Sequence, residues 1–207
     1  MSKSEIIEEL VDVYVAEMPA EGEMPPLSCA LRQQDIDGVS NPDLRRQKYY
    51  VWRLLEYALQ HSFGLTEQDV TFRKEGGRYL CDRACFSLSH SGNGLAVAVS
   101  RAAVGVDLER ATARDIDRLS RRVLNEAETA IYDALPPEER EPFFFRAWTA
   151  KEALFKTTGQ DVFAPPQQDT LQGGVRSYET VIGGENYFLS VATKTVERIR
   201  LYKNVPL

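Results

Sequence analysis

The 207-residue sequence has few cysteines, no long apolar run and no excess of positive charge. Its three cysteines are odd in number, which fits a reducing compartment better than a framework of disulfides. No apolar run approaches the ~20 residues of a membrane helix, and the N-terminus lacks the apolar segment of a signal peptide. The formal net charge of −6 argues against nucleic acid as a partner. We therefore expect a cytoplasmic protein that binds neither membranes nor nucleic acid.

Positive charge is nevertheless concentrated in two short segments. Residues 41–53 hold four basic side chains against one acidic side chain, and residues 110–122 hold five against two. An acidic protein with two such segments is expected to bind anionic ligands locally.

The first half of the chain is predicted to contain one long helix and an antiparallel set of strands. Alternation at positions 11–15 predicts a strand, whereas residues 18–41 are rich in Pro, Gly and polar residues and predict mostly loop. Asn41 and Pro42 predict the start of a helix that Gly64 ends. Further strands are predicted at 69–72, 86–89, 95–100 and 104–108, with a loop at 90–94.

The second half is predicted to repeat this order of elements loosely. One helix is expected at 113–124, a second begins at the capping box of Asn125 and Glu128, and a third spans 142–158. Strands are predicted at 178–182, 187–192 and 198–202. The predicted fold is therefore α+β, with two similar lobes at 1–103 and 104–207. Each lobe would pack a small, mainly antiparallel sheet against helices, and a pseudo-twofold axis would relate the two lobes.

Two carboxylates at the end of a predicted strand form a candidate metal site. Asp107 and Glu109 are separated by one residue, so an extended chain places both on one face. Such close carboxylates repel unless a cation lies between them, and a hard ion such as Mg²⁺ favours these oxygen ligands. The alternative is an exposed strand end with two solvated acids.

The third predicted helix adds two charged residues to this candidate site. Trp148, Glu152 and Lys156 lie at i, i+4 and i+8, on one face of the helix. A Glu–Lys pair at this spacing is usually a surface salt bridge. Here the neighbouring residues are bulky and apolar, so the helix should be largely buried, and charged residues are rarely buried without a function.

These motifs together resemble those of the 4′-phosphopantetheinyl transferases. The resemblance rests on Gly-Val-Asp-Leu-Glu at 105–109, on Trp-Thr-Ala-Lys-Glu-Ala-Leu-Phe-Lys-Thr-Thr-Gly at 148–159, and on Ser-His-Ser at 89–91. It covers residues 41–160 well and the two ends only by the order of elements. The spacing and chain length resemble the larger, two-lobed, monomeric type of the family.

The resemblance implies a reaction and a metal site. Such enzymes transfer the 4′-phosphopantetheine arm of coenzyme A to a serine of an apo-acyl, peptidyl or aryl carrier protein and release 3′,5′-ADP. The carriers serve fatty-acid, polyketide and nonribosomal-peptide biosynthesis. Asp107, Glu109 and Glu152 would hold Mg²⁺, or Mn²⁺ in its place. Glu152 would be the base that deprotonates the serine, and Lys156 would stabilise the departing phosphate.

The resemblance also implies a set of coenzyme A ligands. His90 would contact the 3′-phosphate, and the implied ligands as a whole are Arg46 (with Arg45 as the alternative), Arg78, Ser89, His90, Lys151 and Lys156. The sequence departs from the family pattern at Gly77-Arg78-Tyr79, where Gly-Lys-Pro is usual. A basic cluster often found ahead of the first helix is reduced to Arg32.

Three questions stay open on the sequence alone. Arg110, Arg114 and Arg118 form a basic stripe at helical spacing that could dock an acidic carrier protein or could simply be solvated. A non-catalytic module that binds coenzyme A or carrier proteins is a second hypothesis, but it would be expected to have lost at least one of Asp107, Glu152 and Lys156, and all three are present. A metal-dependent phosphohydrolase is a third, but the additional His/Asp clusters usual at such sites are missing.

Overall fold

The computed structural model describes residues 10–112, 115–158, 174–193 and 198–207. The first half of the chain forms these elements: β1 (Val11–Glu17), α1 (Ala30–Asp37), α2 (Pro42–Phe63), β2 (Phe72–Glu75), β3 (Arg78–Cys81), β4 (Cys85–Ser91) and β5 (Gly94–Ser100). The second half forms β6 (Val104–Arg110), α3 (Ile116–Val123), α4 (Glu126–Ala134), α5 (Pro137–Thr158), β7 (Val175–Ile182), β8 (Glu185–Thr193) and β9 (Ile199–Tyr202). Among these described helices, none is long and apolar enough to cross a membrane.

The strands form two main sheets and one separate hairpin. The first sheet has the order β4-β5-β1-β9, the second has the order β6-β8-β7, and β2 pairs with β3 alone. Neighbouring strands are antiparallel except β1 and β9, which are parallel. This confirms the predicted α+β class. The last strand thus joins the sheet of the first half, while the pseudo-twofold axis and the division at residue 103 stay predictions.

The two sheets pack face to face, and a long helix covers the outer face of each. On β1, Val13 and Val15 contact the second sheet, whereas Tyr14 belongs to the core beneath α2. On the second sheet, Val106 points to the first sheet, and Phe188 stacks on Phe145 of α5 at 5.3 Å. This period-two alternation places α2 and α5 on opposite sides of the molecule.

Local chemistry sets the ends of α2 and the start of α4 as predicted. The side chain of Asn41 accepts a hydrogen bond from the amide of Leu44, and Gly64 ends α2 in a left-handed conformation at φ 67°. At α4, Asn125 and Glu128 form the reciprocal capping box.

Two helix predictions were wrong. Helix α1 lies inside the segment predicted to be mostly loop. The sequence gives little sign of it, because the helix is short, buries only Arg32 and Ile36, and begins without a side-chain cap. Helix α5 starts at Pro137, five residues before the predicted start at Pro142, because each proline is compatible with a first helical turn. Gly159, predicted to end α5, lies outside the described residues.

Two strands also lie at positions other than those predicted. The predicted strand at 69–72 lies instead at Phe72–Glu75, because Asp69 closes a turn with Thr66 and two glycines form the turn between β2 and β3. The predicted loop at 90–94 is mostly strand: His90 pairs with Leu95, and the turn is confined to residues 92 and 93.

Candidate functional site

Asp107 lies at the centre of the candidate site, where β6 faces α5. Strand alternation sends Val106 and Leu108 into the core between the sheets, so Asp107 points the other way and is only 6% exposed. Its Oδ1 accepts hydrogen bonds from Ser89 Oγ at 2.9 Å and from Lys156 Nζ at 2.8 Å. Its Oδ2 is buried and has no hydrogen-bond partner among the described residues.

Gly105 allows α5 to lie directly on β6. A Cβ atom at this position would stand 1.9 Å from the carbonyl oxygen of Ala153 and 2.6 Å from Thr157 Oγ1. Because real Cβ atoms never approach backbone so closely, a side chain here would push the helix away. The glycine thus brings Glu152 and Lys156 of α5 towards the carboxylates of β6.

Lys156 joins three elements through its ammonium group. Nζ donates to the carbonyl of Leu88 at 3.3 Å, to the carbonyl of Val106 at 3.0 Å and to Asp107 Oδ1. An ammonium has three N–H donors, so each of them has a protein acceptor. In this state Lys156 holds Asp107 and the edges of β4 and β6, and it would need to exchange an acceptor to bind a phosphate.

Glu109 and Glu152 complete the group of carboxylates. Glu109 Oε2 accepts a hydrogen bond from Ser91 Oγ at 3.0 Å. The pKa of Glu152 is raised above its usual value, first by burial and then by the negative charges of Asp107 and Glu109, with Lys156 opposing the shift. The negative charges of Asp107 and Glu109 on β6 therefore reach Glu152 on α5.

The residues fit a hard divalent cation, although they do not form a finished coordination shell. In the parts of the chain that the structure describes, no three His, Cys, Asp or Glu side chains are arranged to hold a metal ion. The buried, unsatisfied Oδ2 of Asp107 is nevertheless an oxygen that a cation would satisfy, and carboxylate oxygens are the ligands that Mg²⁺ prefers. The metal site remains a prediction.

A second charged group lies on the other face of β4, around His90. Burial is the largest of the causes that lower the pKa of His90 to about 4. Three positive charges add to this effect, those of Lys156, Arg32 and Lys48. An anion bound beside His90 would offset these positive charges and would raise the pKa of the imidazole.

Arg32 is the most buried cation of this group. It is 8% exposed, and its guanidinium lies 5.2 Å from the ring centre of Trp52 and 5.4 Å from that of Tyr79. It donates to the carbonyl of Lys48 at 2.7 Å, while its Nε is buried without a hydrogen-bond partner in the described residues. In the sequence, Arg32 is only a remnant of a basic cluster, and Lys48 is one of four basic residues in the first basic segment, so neither residue stands out before the chain folds.

Four other residues that were predicted to bind coenzyme A have hydrogen-bond or ion-pair partners within the protein. Arg46 donates to the carbonyls of residues 19 and 20, and Arg78 donates to the carbonyl of Lys156 at 2.6 Å. Lys151 is 12% exposed and pairs with the fully buried Glu128 at 2.7 Å. Ser89 lies between Asp107 and the amide of Leu108. Their predicted contacts with coenzyme A are untested.

The predicted arginine stripe does not lie on one helix. Arg110 is the last residue of β6 and pairs with Glu185 at 2.8 Å, while Arg114 lies outside the described residues. Helix α3 begins only at Ile116, capped by Asp115. Its exposed arginines are Arg118, Arg121 and Arg122.

Comparison with known proteins agrees with the resemblance seen in the motifs. A sequence model of the 4′-phosphopantetheinyl transferase superfamily matches residues 103–196. The 4′-phosphopantetheinyl transferase psf-1 of Bacillus pumilus is 30% identical over 113 residues, which are 53% of this chain and 48% of that protein. HetI of Nostoc sp., a 4′-phosphopantetheinyl transferase, is 38% identical over 90 residues, which are 42% of this chain and 38% of that protein.

A third relative matches over a longer stretch. The 4′-phosphopantetheinyl transferase AcpT of Escherichia coli strain K12 is 40% identical over 138 residues, which are 65% of this chain and 66% of that protein. The chain spans about half the length of psf-1 and less of HetI.

Proposed function

Because the chain belongs to the 4′-phosphopantetheinyl transferase superfamily, we propose that it transfers the 4′-phosphopantetheine arm of coenzyme A to a serine of an apo-carrier protein. The carrier would be an acyl, peptidyl or aryl carrier, and 3′,5′-ADP would be released. The observation that carries this proposal is the close approach of α5 to β6 at Gly105, which gathers Glu152, Lys156 and Asp107.

The three carboxylates are proposed to hold Mg²⁺, with Mn²⁺ as a substitute. When bound, the ion would neutralise charge on the diphosphate of coenzyme A. Asp107, Glu109 and Glu152 supply oxygen donors of the kind that this ion prefers, and the buried Oδ2 of Asp107 supports the assignment.

Glu152 is proposed to take the proton of the carrier serine, directly or through a water. The serine Oγ then forms a bond to the phosphorus that bears pantetheine, and the bond from that phosphorus to the bridging oxygen of 3′,5′-ADP breaks. Without a bound cation, burial and the charges of Asp107 and Glu109 raise the pKa of Glu152, and a carboxylate is a usual general base in proton transfer. Lys156 keeps Asp107 in place through the hydrogen bond at 2.8 Å.

The group around His90 is proposed to bind the 3′-phosphate of coenzyme A. Arg32 offers a buried Nε–H without a partner in the described residues, and Lys48 lies close enough to His90 for its positive charge to lower the pKa of the imidazole. A phosphate in this place would satisfy the Arg32 donor and favour protonation of His90.

Helix α3 is proposed to dock the carrier. Arg118, Arg121 and Arg122 are exposed on it, and carrier proteins are typically acidic, so opposite charge would speed the encounter and salt would weaken it. Monomeric state and cytoplasmic location belong to the same proposal.

The proposal is tested by mass spectrometry. Incubation of the protein with coenzyme A, Mg²⁺ and a panel of apo-carrier proteins is expected to add one phosphopantetheine arm to at least one carrier, and chelation of the metal with EDTA should abolish the gain. A carrier whose acceptor serine is replaced by alanine is the matched control and should gain no mass. No gain on any carrier, with coenzyme A bound normally, would favour the alternative of a non-catalytic module of the same fold.

A titration of His90 tests the phosphate pocket. By NMR, the imidazole of His90 is expected to protonate at a pH near 4, and 3′,5′-ADP should raise that pKa. The chain has two histidines, so the spectrum contains one further signal, from His61, and a His90→Asn variant assigns the pair. An unchanged titration at saturating 3′,5′-ADP would remove His90 from the pocket.

The lowered pKa of His90 also makes the stability of the protein depend on pH. Because the pKa of His90 is lowered in the folded state, the unfolded chain binds more protons between about pH 6.5 and pH 4. The contribution of His90 to stability is therefore present above this window and is lost as the pH falls through it.

A further inference from the structure

Three serines on β4 bind the edge of β6 that pairs with no other strand in the described residues. They occupy alternate positions and point to one face of the strand, and their hydroxyls replace the main-chain pairing that two strands of one sheet would make. Each accepts a hydrogen bond from an amide 19 residues later: Ser87 from Val106 at 3.0 Å, Ser89 from Leu108 at 3.1 Å and Ser91 from Arg110 at 3.1 Å. We call these residues the serine ladder.

Two serines of the serine ladder also contact the predicted metal ligands. Ser89 donates to Asp107 Oδ1 at 2.9 Å, and Ser91 donates to Glu109 Oε2 at 3.0 Å, in each case 18 residues along the chain. The corresponding partner position for Ser87 is Gly105, which has no side chain. The ladder therefore has two serines that reach a carboxylate and one that binds only backbone.

The direction of these hydrogen bonds follows from the chemistry of a hydroxyl. A serine has one O–H donor. Since the β6 amide already donates to the oxygen, the hydroxyl proton is left for the carboxylate. Ser89 and Ser91 consequently each fix one oxygen of a carboxylate in a defined place. For Asp107 the second oxygen is the buried Oδ2, which has no hydrogen-bond partner in the described part of the chain.

We propose that Ser89 and Ser91 are positioning residues that orient Asp107 and Glu109 for a divalent cation. The inference rests on the proposed function, because it assumes that these carboxylates hold the ion. It assigns Ser89 a role different from the coenzyme A contact implied by the family resemblance. Hydrogen bonds to the ligands of a metal hold them in the binding geometry before the ion arrives, which raises affinity.

The serine ladder contains its own control. In the full-length protein without coenzyme A, the affinity for Mn²⁺ is measured by electron paramagnetic resonance. Ser89→Ala and Ser91→Ala are expected to weaken it by roughly 10–100-fold, the range typical for loss of an outer-shell partner. Ser87→Ala removes the same type of backbone contact without a carboxylate and should keep an affinity close to that of the wild type. Ser91→Thr keeps the hydroxyl and should restore binding.

Thermal unfolding separates the positioning role from a structural one. All three alanine variants lose a hydrogen bond to β6, and Ser89→Ala and Ser91→Ala also lose one to a carboxylate, so all three Tm values without metal should fall. The rise in Tm that Mn²⁺ produces should be smaller in Ser89→Ala and Ser91→Ala and unchanged in Ser87→Ala. Equal losses of Mn²⁺ affinity in all three variants would overturn the proposal, because the ladder would then act through the fold.

Two further outcomes distinguish this inference from the proposed function. Wild-type affinity in Ser89→Ala and Ser91→Ala, together with Mn²⁺ binding by the wild type, would overturn the positioning role and leave the transferase proposal standing. Absence of Mn²⁺ binding by the wild type would contradict the metal site of the proposed function, and the positioning role would be rejected with it.

Discussion

Replacement of Glu152 by Gln is expected to lower the rate of phosphopantetheine transfer by roughly 10²–10⁴-fold, the range usual for loss of a general base. Glutamine keeps the size of the side chain but cannot accept the serine proton as a carboxylate does. Coenzyme A binding should be largely retained, because Arg32 and Lys48 lie on the side of β4 that α2 covers, away from the carboxylates. Rates come from single-turnover mass measurements, and coenzyme A affinity comes from calorimetry.

The matched control for this variant lies on the same helix. Glu141 is exposed near the start of α5, and Glu141→Gln makes the same chemical change away from the carboxylates, so its rate should equal that of the wild type. Because Glu152 is also a proposed metal ligand, the Mn²⁺ affinity of Glu152→Gln is measured in parallel. An undiminished rate in this variant at saturating metal would remove Glu152 from the mechanism.

Replacement of Gly105 by Ala is expected to cause the largest loss of stability. The new Cβ would lie 1.9 Å from the carbonyl oxygen of Ala153, so the backbone of α5 must move. Overpacking of this kind lowers the free energy of unfolding by about 1–3 kcal/mol and sometimes more. Because the atom nearest to the new Cβ would belong to backbone and not to a flexible side chain, we expect a loss at the upper end of this range. Displacement of α5 would also separate Lys156 from Asp107, so transfer should fall with stability. Chemical denaturation measures the free energy of unfolding.

Gly38 provides the control for the glycine substitution. It has an ordinary φ of −74°, and the nearest atoms to a methyl group added there would be 3.7 Å away. Gly38→Ala should therefore change the free energy of unfolding little. A Gly105→Ala protein as stable as the wild type would show that α5 does not lie so close to β6.

Features that depend on neighbouring residues could be predicted from the sequence. Asn41 and Gly64 mark the two ends of α2 because a cap and a left-handed glycine act within one helical turn. The capping box at Asn125 is equally local. Helix α1 could not be predicted, because its buried residues pack against parts of the chain distant in sequence, as Arg32 does against the rings of Trp52 and Tyr79.

The partners of several charged side chains could not be predicted either. Lys151 lies beside Glu152 in the sequence but pairs with Glu128 from α4, and Arg110 pairs with Glu185 from β8. Such pairs depend on which elements become neighbours in space, and a pattern within one segment carries no information about that.

The sequence by itself determined that Asp107 and Glu109 share one face of a strand, and it predicted that Glu152 of a later helix joins them. Strand and helix periodicity decide which side chains share a face, and the motifs around them identified the family. Only the tertiary structure decided how the group is held. Gly105 sets the distance of α5, Lys156 joins β4 to β6, and the serine ladder aligns the two strands. These contacts link residues 18 to 68 positions apart, and they form only when both sheets and α5 have packed together.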